Sequence, residues 1–290
     1  MSKALNEVLG AIAPDPREEQ ARRAAHAQWA SIAKPLDSLG LLEKAVEDMA
    51  ALTLDHKIDI SSRALLLLCA DNGVVDQGVT QTDYTVTAAV ARNAGANRSS
   101  VCKMAQVANC DVVPVDMGMR DSGLIPGVLD RRIGNGTQDI TQGPAMARGE
   151  AEQAVLTGVK LVRELKDRGA GLIATGEMGI GNTTTSSAVA CVLLGRPVAE
   201  MTGRGAGLSD AGLARKIAAI ERAVALNRPD PSDPVDVISK VGGLDIAGLC
   251  GIFLGGALYR VPVVIDGFIS GTAALCAARL RPGAKFAMLP

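Results

Sequence analysis

The chain has 290 residues, a length that predicts one large or two small domains. Thirty basic residues nearly balance thirty-one acidic ones, and the net charge of −1 excludes a strongly basic nucleic-acid binder. Only 2% of the residues are aromatic, so platforms that stack the bases of single-stranded nucleic acid are not expected. The apolar stretch 246–259 is shorter than the roughly 20 residues of a membrane span. We therefore expect neither nucleic-acid nor membrane partners.

The six cysteines include no Cys-x-x-Cys pair, and four of them are embedded in apolar sequence. This pattern indicates free thiols in a reducing cytoplasm, and no secretory signal opens the chain. With only two histidines, the chain has little material for a histidine-based metal site or a Ser-His-Asp triad. We expect a cytoplasmic protein without a metal or a cofactor.

The first 59 residues are predicted to form a small helical domain. An Ala-rich stretch begins at Pro16 and ends before Pro35, and apolar side chains recur at helical spacing over residues 41–52. Residues 60–290 are predicted to form a second domain with a different pattern, in which continuous apolar runs alternate with amphipathic stretches.

Four continuous apolar runs of this second domain predict strands: Ala64–Ala70, Asp111–Asp116, Leu172–Thr175 and Val261–Ile265. Predicted helices cover residues 85–93, 99–108, 150–168 and the region around 213–224. Strands that are apolar throughout and separated by helices indicate an α/β fold, with a parallel sheet covered on both faces.

Acidic residues and glycine turns follow three of the predicted strands, at Asp71-Asn72-Gly73, Gly176–Gly179 and Asp266-Gly267. Ligands of open parallel sheets bind at the carboxyl ends of the strands. These turns are therefore the first places at which a site is expected.

The densest signal is the segment Thr175–Ser186, a glycine turn between a strand and an apolar helix. Its spacing matches a phosphate loop, but Asn182 stands where a nucleoside triphosphatase needs lysine. The backbone N–H groups of such a turn suit an anion such as a ribose phosphate. The alternative is a structural turn that only connects a strand to a helix.

A second glycine cluster, Gly203–Gly207, leads into a helix with Arg215 and Lys216. Glycines let backbone amides approach a phosphate closely, and a lysine about two turns on can reach back to it. The alternative is a flexible loop followed by a solvated pair of cations.

Several single residues have two interpretations. Glu177 either orients ribose hydroxyls and takes a proton, or is an acid favoured by a helix N-terminus. The same ambiguity holds for the other acids Asp71, Asp245 and Asp266. Thr80 and Met178 either line a pocket or belong to an ordinary turn and to the core.

Nine segments occur together in the order of a known family. They are Lys34–Gly40, Asp71–Val74, Gly136-Thr137, Pro144–Met146, Gly176–Thr184, Gly205–Gly207, Arg215-Lys216, Val241–Asp245 and Asp266–Phe268. From about residue 30 onward the chain resembles the nicotinate-nucleotide:dimethylbenzimidazole phosphoribosyltransferase family, most specifically in the loop around Glu177.

The resemblance implies transfer of a 5-phosphoribosyl group from nicotinate mononucleotide to 5,6-dimethylbenzimidazole or a related aromatic base. The products are nicotinate and an α-ribotide, which becomes the lower ligand of cobamides. It also implies a Rossmann-like parallel domain with a small helical domain, usually in a dimer.

The resemblance assigns the site residues as follows. Phosphate binding is implied for Gly205, Ala206, Gly207 and Lys216. Contacts to ribose and base are implied for Glu177, Met178 and Gly179, and Thr80 falls in the benzimidazole pocket. Further substrate contacts are expected from Gly181, Asn182, Thr183, Asp245 and Asp266.

The sequence also departs from the family pattern. Asn72 replaces a usual histidine, and Thr80 and Asp83 replace a serine and a proline, so the acceptor is either a benzimidazole or a phenolic compound. The family's catalytic Glu, in a C-terminal Ser-His-x-Ser-x-Glu segment, has no counterpart before Pro290.

Three explanations follow from that missing counterpart. The sequence is shortened, a paralogous partner completes it, or another base acts, for which Glu177 is the nearest candidate. The alternative to an active homodimer is therefore a catalytically incomplete nucleotide-binding subunit that stabilises a paralogous partner.

Overall fold

A computed structural model describes residues 1–290, and its centre is a single β-sheet. The strands are β1 (Arg63–Ala70), β2 (Cys110–Gly118), β3 (Leu129–Asp130), β4 (Leu172–Met178), β5 (Val263–Val264) and β6 (Met288–Leu289). Their order is β3-β2-β1-β4-β5-β6, and every neighbouring pair is parallel. The predicted α/β fold with a parallel sheet is confirmed.

Twelve α-helices surround this sheet. They are α1 (Lys3–Ala11), α2 (Glu18–Ala30), α3 (Leu41–Thr53), α4 (Thr85–Gly95), α5 (Ser100–Val107), α6 (Arg148–Asp167), α7 (Asn182–Leu194), α8 (Val198–Met201), α9 (Asp210–Asn227), α10 (Pro234–Val241), α11 (Leu244–Tyr259) and α12 (Phe268–Leu280). Two short 3-10 helices, Gly73–Gln77 and Pro282–Ala287, complete the set.

The predicted strand Val261–Ile265 is shorter in the structure. Pairing with β4 covers only Val263 and Val264. The N–H of Val261 donates to the carbonyl of Gly256 at the end of α11, and Pro262 has no N–H to donate. These two residues therefore connect a helix to the strand instead of extending it.

The two faces of the sheet have different cores. On one face, Leu66, Leu68, Val115 and Ile173 belong to a large cluster of 49 buried residues that includes α6 and α11. On the other face, Leu67 and its neighbours form a small cluster of eight buried residues with α4 and α5. Side chains alternate between the faces of a strand, so both faces of β1 are apolar, as its sequence predicts.

The α11 helix is the most deeply buried element of the large core. It packs so closely against α6 that a Cβ atom added at Gly158 would lie 2.0 Å from the carbonyl oxygen of Gly248. A Cβ atom at Gly251 would lie 1.9 Å from the carbonyl oxygen of Val155. Only glycine fits at this crossing. No helix of the structure has the length and apolar content that a bilayer crossing needs.

The N-terminal helices divide into two groups. Leu5 and Leu9 of α1, together with Ile12, are part of the large core. In contrast, α2 and α3 pack mainly on each other. The domain boundary at residue 59 stays a prediction. The α1 helix precedes this boundary in the chain, but it packs with the sheet.

Candidate functional site

The carboxyl ends of β1 and β4 meet at one edge of the sheet. Leu68 is opposite Glu177 in the register of the two strands, and Cys69 is opposite Met178. The chain leaves β1 through Asp71-Asn72 and leaves β4 through the turn Gly179–Gly181. Parallel pairing therefore brings the two turns together, as the sequence predicts.

Asn72 supports the second of these turns from below. Its side chain is buried, and its Nδ2 donates to the carbonyl of Ile180 at 3.5 Å. The hydroxyl of Thr185 donates to Asn72 Oδ1 at 3.2 Å. Asn72 thus takes a structural position beneath the turn and does not line a cavity.

The turn reaches α7 through Gly181, whose φ of +93° is in the left-handed region. A Cβ atom here would also lie 2.9 Å from Val75, so glycine is required on both counts. The turn places the positive end of the α7 helix dipole beside Asn182 and Thr183. This is a favourable position for an anion.

A buried cation lies next to that helix end. Lys216 of α9 is 1% exposed, and its ammonium donates to the Thr183 hydroxyl at 2.8 Å and to the Gly203 carbonyl at 3.1 Å. Both acceptors are neutral, and burial lowers the pKa of Lys216 to about 8. A Cβ atom on Gly205 would lie 3.5 Å from this ammonium. The first helix turn, the lysine and the glycine loop lie together in an arrangement that suits an anion.

Two cavities are lined by β4 and by the turn that follows it. The smaller one, of about 140 Å³, is lined by seven of the predicted residues: Thr80, Gly179, Gly181, Asn182, Thr183, Gly205 and Ala206. The larger one, of about 820 Å³, is mainly apolar, and Glu177, Met178 and Asp266 are among the residues that line it. Consecutive residues, Met178 and Gly179, therefore face different cavities.

Two carboxylates share one amide at the base of the site. Asn182 Nδ2 donates to Glu177 Oε2 and, at 3.0 Å, to Asp245 Oδ2. Burial and the neighbouring carboxylates of Asp245 and Asp266 raise the pKa of Glu177 to about 7. Burial also raises the pKa of Asp245 to about 6. Glu177 can therefore exchange a proton close to neutral pH.

Three predicted residues line neither cavity. Lys216 acts beside the smaller cavity through Thr183, as described above. The carbonyl of Gly207 accepts a hydrogen bond of 2.5 Å from Gln81 Nε2. Asp245, which the sequence predicts to contact a substrate, is wholly buried behind Asn182. Its carboxylate contacts Asn182 in this structure, and its contact with a substrate stays a prediction.

The sequence prediction missed Arg204 at the smaller cavity. Its guanidinium donates to the carbonyl of Leu208 at 2.9 Å and pairs with Asp210, so it holds the glycine cluster in shape. A cation inside a run of glycines was the available signal, since an arginine there adds charge to a loop that already suits an anion.

Comparisons with known proteins agree with this geometry. A family model described as phosphoribosyltransferase matches residues 15–290. The chain is 48% identical over 260 residues to the nicotinate-nucleotide–dimethylbenzimidazole phosphoribosyltransferase of Ruminiclostridium cellulolyticum, covering 90% of this chain and 74% of the relative. It is 44% identical over 282 residues to the enzyme of the same name from Roseiflexus, covering 97% and 79%.

A solved structure is similar as well. The crystal structure of CobT from Thermus thermophilus superposes with a TM-score of 0.86 at 36% identity, over 94% of this chain and 81% of that one. Sequence and fold agree over nearly the whole chain, and the chain therefore belongs to the phosphoribosyltransferase family.

Proposed function

We propose that the chain transfers the 5-phosphoribosyl group of nicotinate mononucleotide to 5,6-dimethylbenzimidazole or a related aromatic base. The observation that carries the proposal is the buried ammonium of Lys216, which has only neutral partners beside the first turn of α7. A phosphate there would add charge-assisted hydrogen bonds that the neutral acceptors do not supply. The relatives' names, which specify this donor and this acceptor, support the same reading.

The acceptor base is assigned to the larger cavity. Its volume of about 820 Å³ is within the range of pockets for small organic ligands. Met178 gives it a soft apolar wall beside the carboxylate of Glu177. A flat apolar base in this cavity would lie beside Met178, whose neighbour Gly179 lines the cavity assigned to the phosphate. Binding of both substrates then places the attacking nitrogen near the anomeric carbon.

The reaction needs one acceptor for a proton. The azole nitrogen forms a bond to C1′, the bond from C1′ to the pyridinium nitrogen breaks, and nicotinate leaves as a neutral pyridine ring. The azole N–H proton must then be removed, and we assign this step to Glu177. Its pKa of about 7 is close to the value at which a general base works best at neutral pH.

A product assay tests the proposal. The 290-residue chain is mixed with nicotinate mononucleotide and 5,6-dimethylbenzimidazole, and nicotinate and the α-ribotide are followed by mass spectrometry. We expect both products in equal amounts. Binding of the mononucleotide with no release of nicotinate would contradict the assignment of turnover to this chain. Parallel assays with a phenolic acceptor distinguish the two acceptor classes.

We also propose an assembly and a location. Met104 and Val107 are large apolar side chains that lie three residues apart on α5, are both exposed, and so form neighbouring apolar surface of the kind found at interfaces. This supports a homodimer, or a heterodimer with a paralogue, and sedimentation measurements on the purified chain distinguish dimer from monomer. The six free cysteines, five of them buried, support a cytoplasmic location.

A further inference from the structure

Asp245 is a buried carboxylate without a cationic partner. It lies in the first turn of α11, is 0% exposed and takes part in no salt bridge. Its Oδ1 accepts from the N–H of Ile246 at 2.9 Å, and its Oδ2 accepts from Asn182 Nδ2. Burying a carboxylate costs free energy that two hydrogen bonds to neutral groups do not offset. Stability alone therefore does not explain the residue.

The partner of Asp245 also contacts Glu177. The amide of Asn182 has two N–H donors, and one nitrogen serves both Asp245 Oδ2 and Glu177 Oε2. An amide that donates to two carboxylates has a fixed orientation, since a flip of the amide would turn its oxygen toward them. Asp245 is thus a second carboxylate, besides Glu177 itself, that keeps the N–H side of Asn182 turned toward Glu177.

Two glycines approach the Asp245 carboxylate so closely that no side chain would fit between them and it. A Cβ atom on Gly179 would lie 2.7 Å from Asp245 Oδ2, and one on Gly243 would lie 2.4 Å from Oδ1. The backbone is in contact with the carboxylate from two directions. This is the packing expected of a fixed support, because a rigid surrounding shell holds a reacting group in place.

We propose that Asp245 is a positioning residue that acts through Asn182 to hold the carboxylate of Glu177 in the wall of the larger cavity. The inference rests on the proposed role of Glu177 as proton acceptor. It also has an electrostatic consequence. The carboxylates of Asp245 and Asp266 both raise the pKa of Glu177, Asp71 acts in the same direction on Asp245, and no salt bridge offsets them.

Asp245→Asn tests the proposal, because it keeps the shape and removes the charge. We expect kcat to fall about 10- to 100-fold, as for other supports of reacting groups, while KM for nicotinate mononucleotide changes less than about twofold. In a Glu177→Gln background the same substitution should have no further effect on kcat. Asp116→Asn is the control, since it also neutralises a buried carboxylate, but one that faces Arg132 instead of the site.

A titration separates this inference from the proposed function. The side-chain carboxyl of Glu177 is followed by carbon NMR in labelled protein, with the resonance assigned by its loss in Glu177→Gln. We expect Asp245→Asn to move the midpoint to lower pH by about one unit, whereas Asp116→Asn leaves it unchanged. The wild-type resonance itself should show a second inflection as Asp245 ionises. An unmoved midpoint with a single inflection overturns the proposal, whether or not the chain turns over substrate.

Discussion

The ammonium of Lys216 donates a hydrogen bond of 2.8 Å to the hydroxyl of Thr183, across 33 residues of sequence. The pair joins α9 to the first turn of α7, and it puts a cation beside the positive end of a helix. Like charges are brought together here at a cost, and an anion removes that cost.

Lys216→Met should therefore weaken nicotinate mononucleotide binding while keeping the volume of the side chain. Charge-assisted hydrogen bonds contribute about 1.5–3 kcal/mol, which predicts a rise in Kd of roughly 10- to 100-fold. Calorimetric titration measures it. Arg215→Ala is the matched control, because this neighbouring cation is exposed and donates only to the Gly78 carbonyl at 3.4 Å. An equal effect of the two substitutions would refute the assigned phosphate contact.

The binding of the mononucleotide should also depend on pH in a defined way. The pKa of Lys216 is about 8, so the ammonium loses its charge as the pH rises through that value. A phosphate monoester gains its second negative charge above about pH 6. Affinity should be highest between about pH 6 and 8 and fall on both sides. The decrease in affinity above pH 8 should be absent in Lys216→Met. If the decrease persists in that variant, a group other than Lys216 causes it.

Glu177→Gln should reduce turnover far more than it affects folding. Removal of a general base typically costs about 10²–10⁴ in rate, and glutamine keeps the shape that Asn182 contacts. The measurement is kcat with saturating substrates, alongside thermal unfolding of the same preparation. A rate within threefold of wild type would remove Glu177 from the proton transfer.

The buried carboxylates should make stability fall with rising pH. The pKa of Glu177 is about 7 in the folded chain, well above that of an exposed glutamate. Between about pH 4.5 and 7 the folded state therefore keeps this proton, whereas the unfolded state has lost it. The contribution of the proton to the free energy of unfolding is complete below about pH 4.5 and is lost as the pH rises through 7.

The raised pKa of Glu177 changes the free energy of unfolding by about 3 kcal/mol over the whole pH range. Other acids have lowered pKa values and make stability rise with pH. The measurement is therefore the difference in the free energy of unfolding between Glu177→Gln and wild type. Urea unfolding should show that the free energy of unfolding of Glu177→Gln, relative to that of wild type, increases between pH 5 and pH 8. An identical difference at both pH values would contradict the raised pKa.

Gly251→Ala should destabilise the chain by several kcal/mol. The added methyl group would lie 1.9 Å from the carbonyl of Val155, so α6 and α11 would have to separate. Gly271→Ala in α12 is the control, because nothing lies within 4 Å of its Cβ position. Alanine is the better helix former there, and the control should raise stability by up to about 1 kcal/mol. Equal melting temperatures for the two variants would contradict the close crossing.

Much of the sheet could be predicted because β1, β2 and β4 are long and apolar on both faces. The strands β3 and β6 could not, since each has two residues and exists only through pairing with a neighbour. The α11 helix could not be predicted from the sequence, for a different reason. It is buried on nearly every side, so its sequence has no helical periodicity, and its interior glycines are poor helix formers.

The candidate site was predictable wherever the glycine turns themselves form it. The turn after β4 and the cluster around Gly205 do lie together at the smaller cavity. The position of Asp245 was not predictable, because its partner Asn182 is 63 residues away in the chain. Nothing local distinguishes an acid that faces a cavity from one that faces the interior.

Because α6 and α11 cross so closely, substitutions at positions outside the cavities should also affect turnover. The α11 helix carries Asp245 in its first turn and contacts α6 closely at Gly248 and Gly251 within the next two turns, so the α6 contact also fixes the helix segment that bears Asp245. Saturation mutagenesis scored only by turnover would therefore return Gly158 and Gly251 alongside Glu177. The sensitive positions from such a screen would include core residues of α11 as well as site residues. A parallel measurement of protein abundance would be needed to separate the two groups.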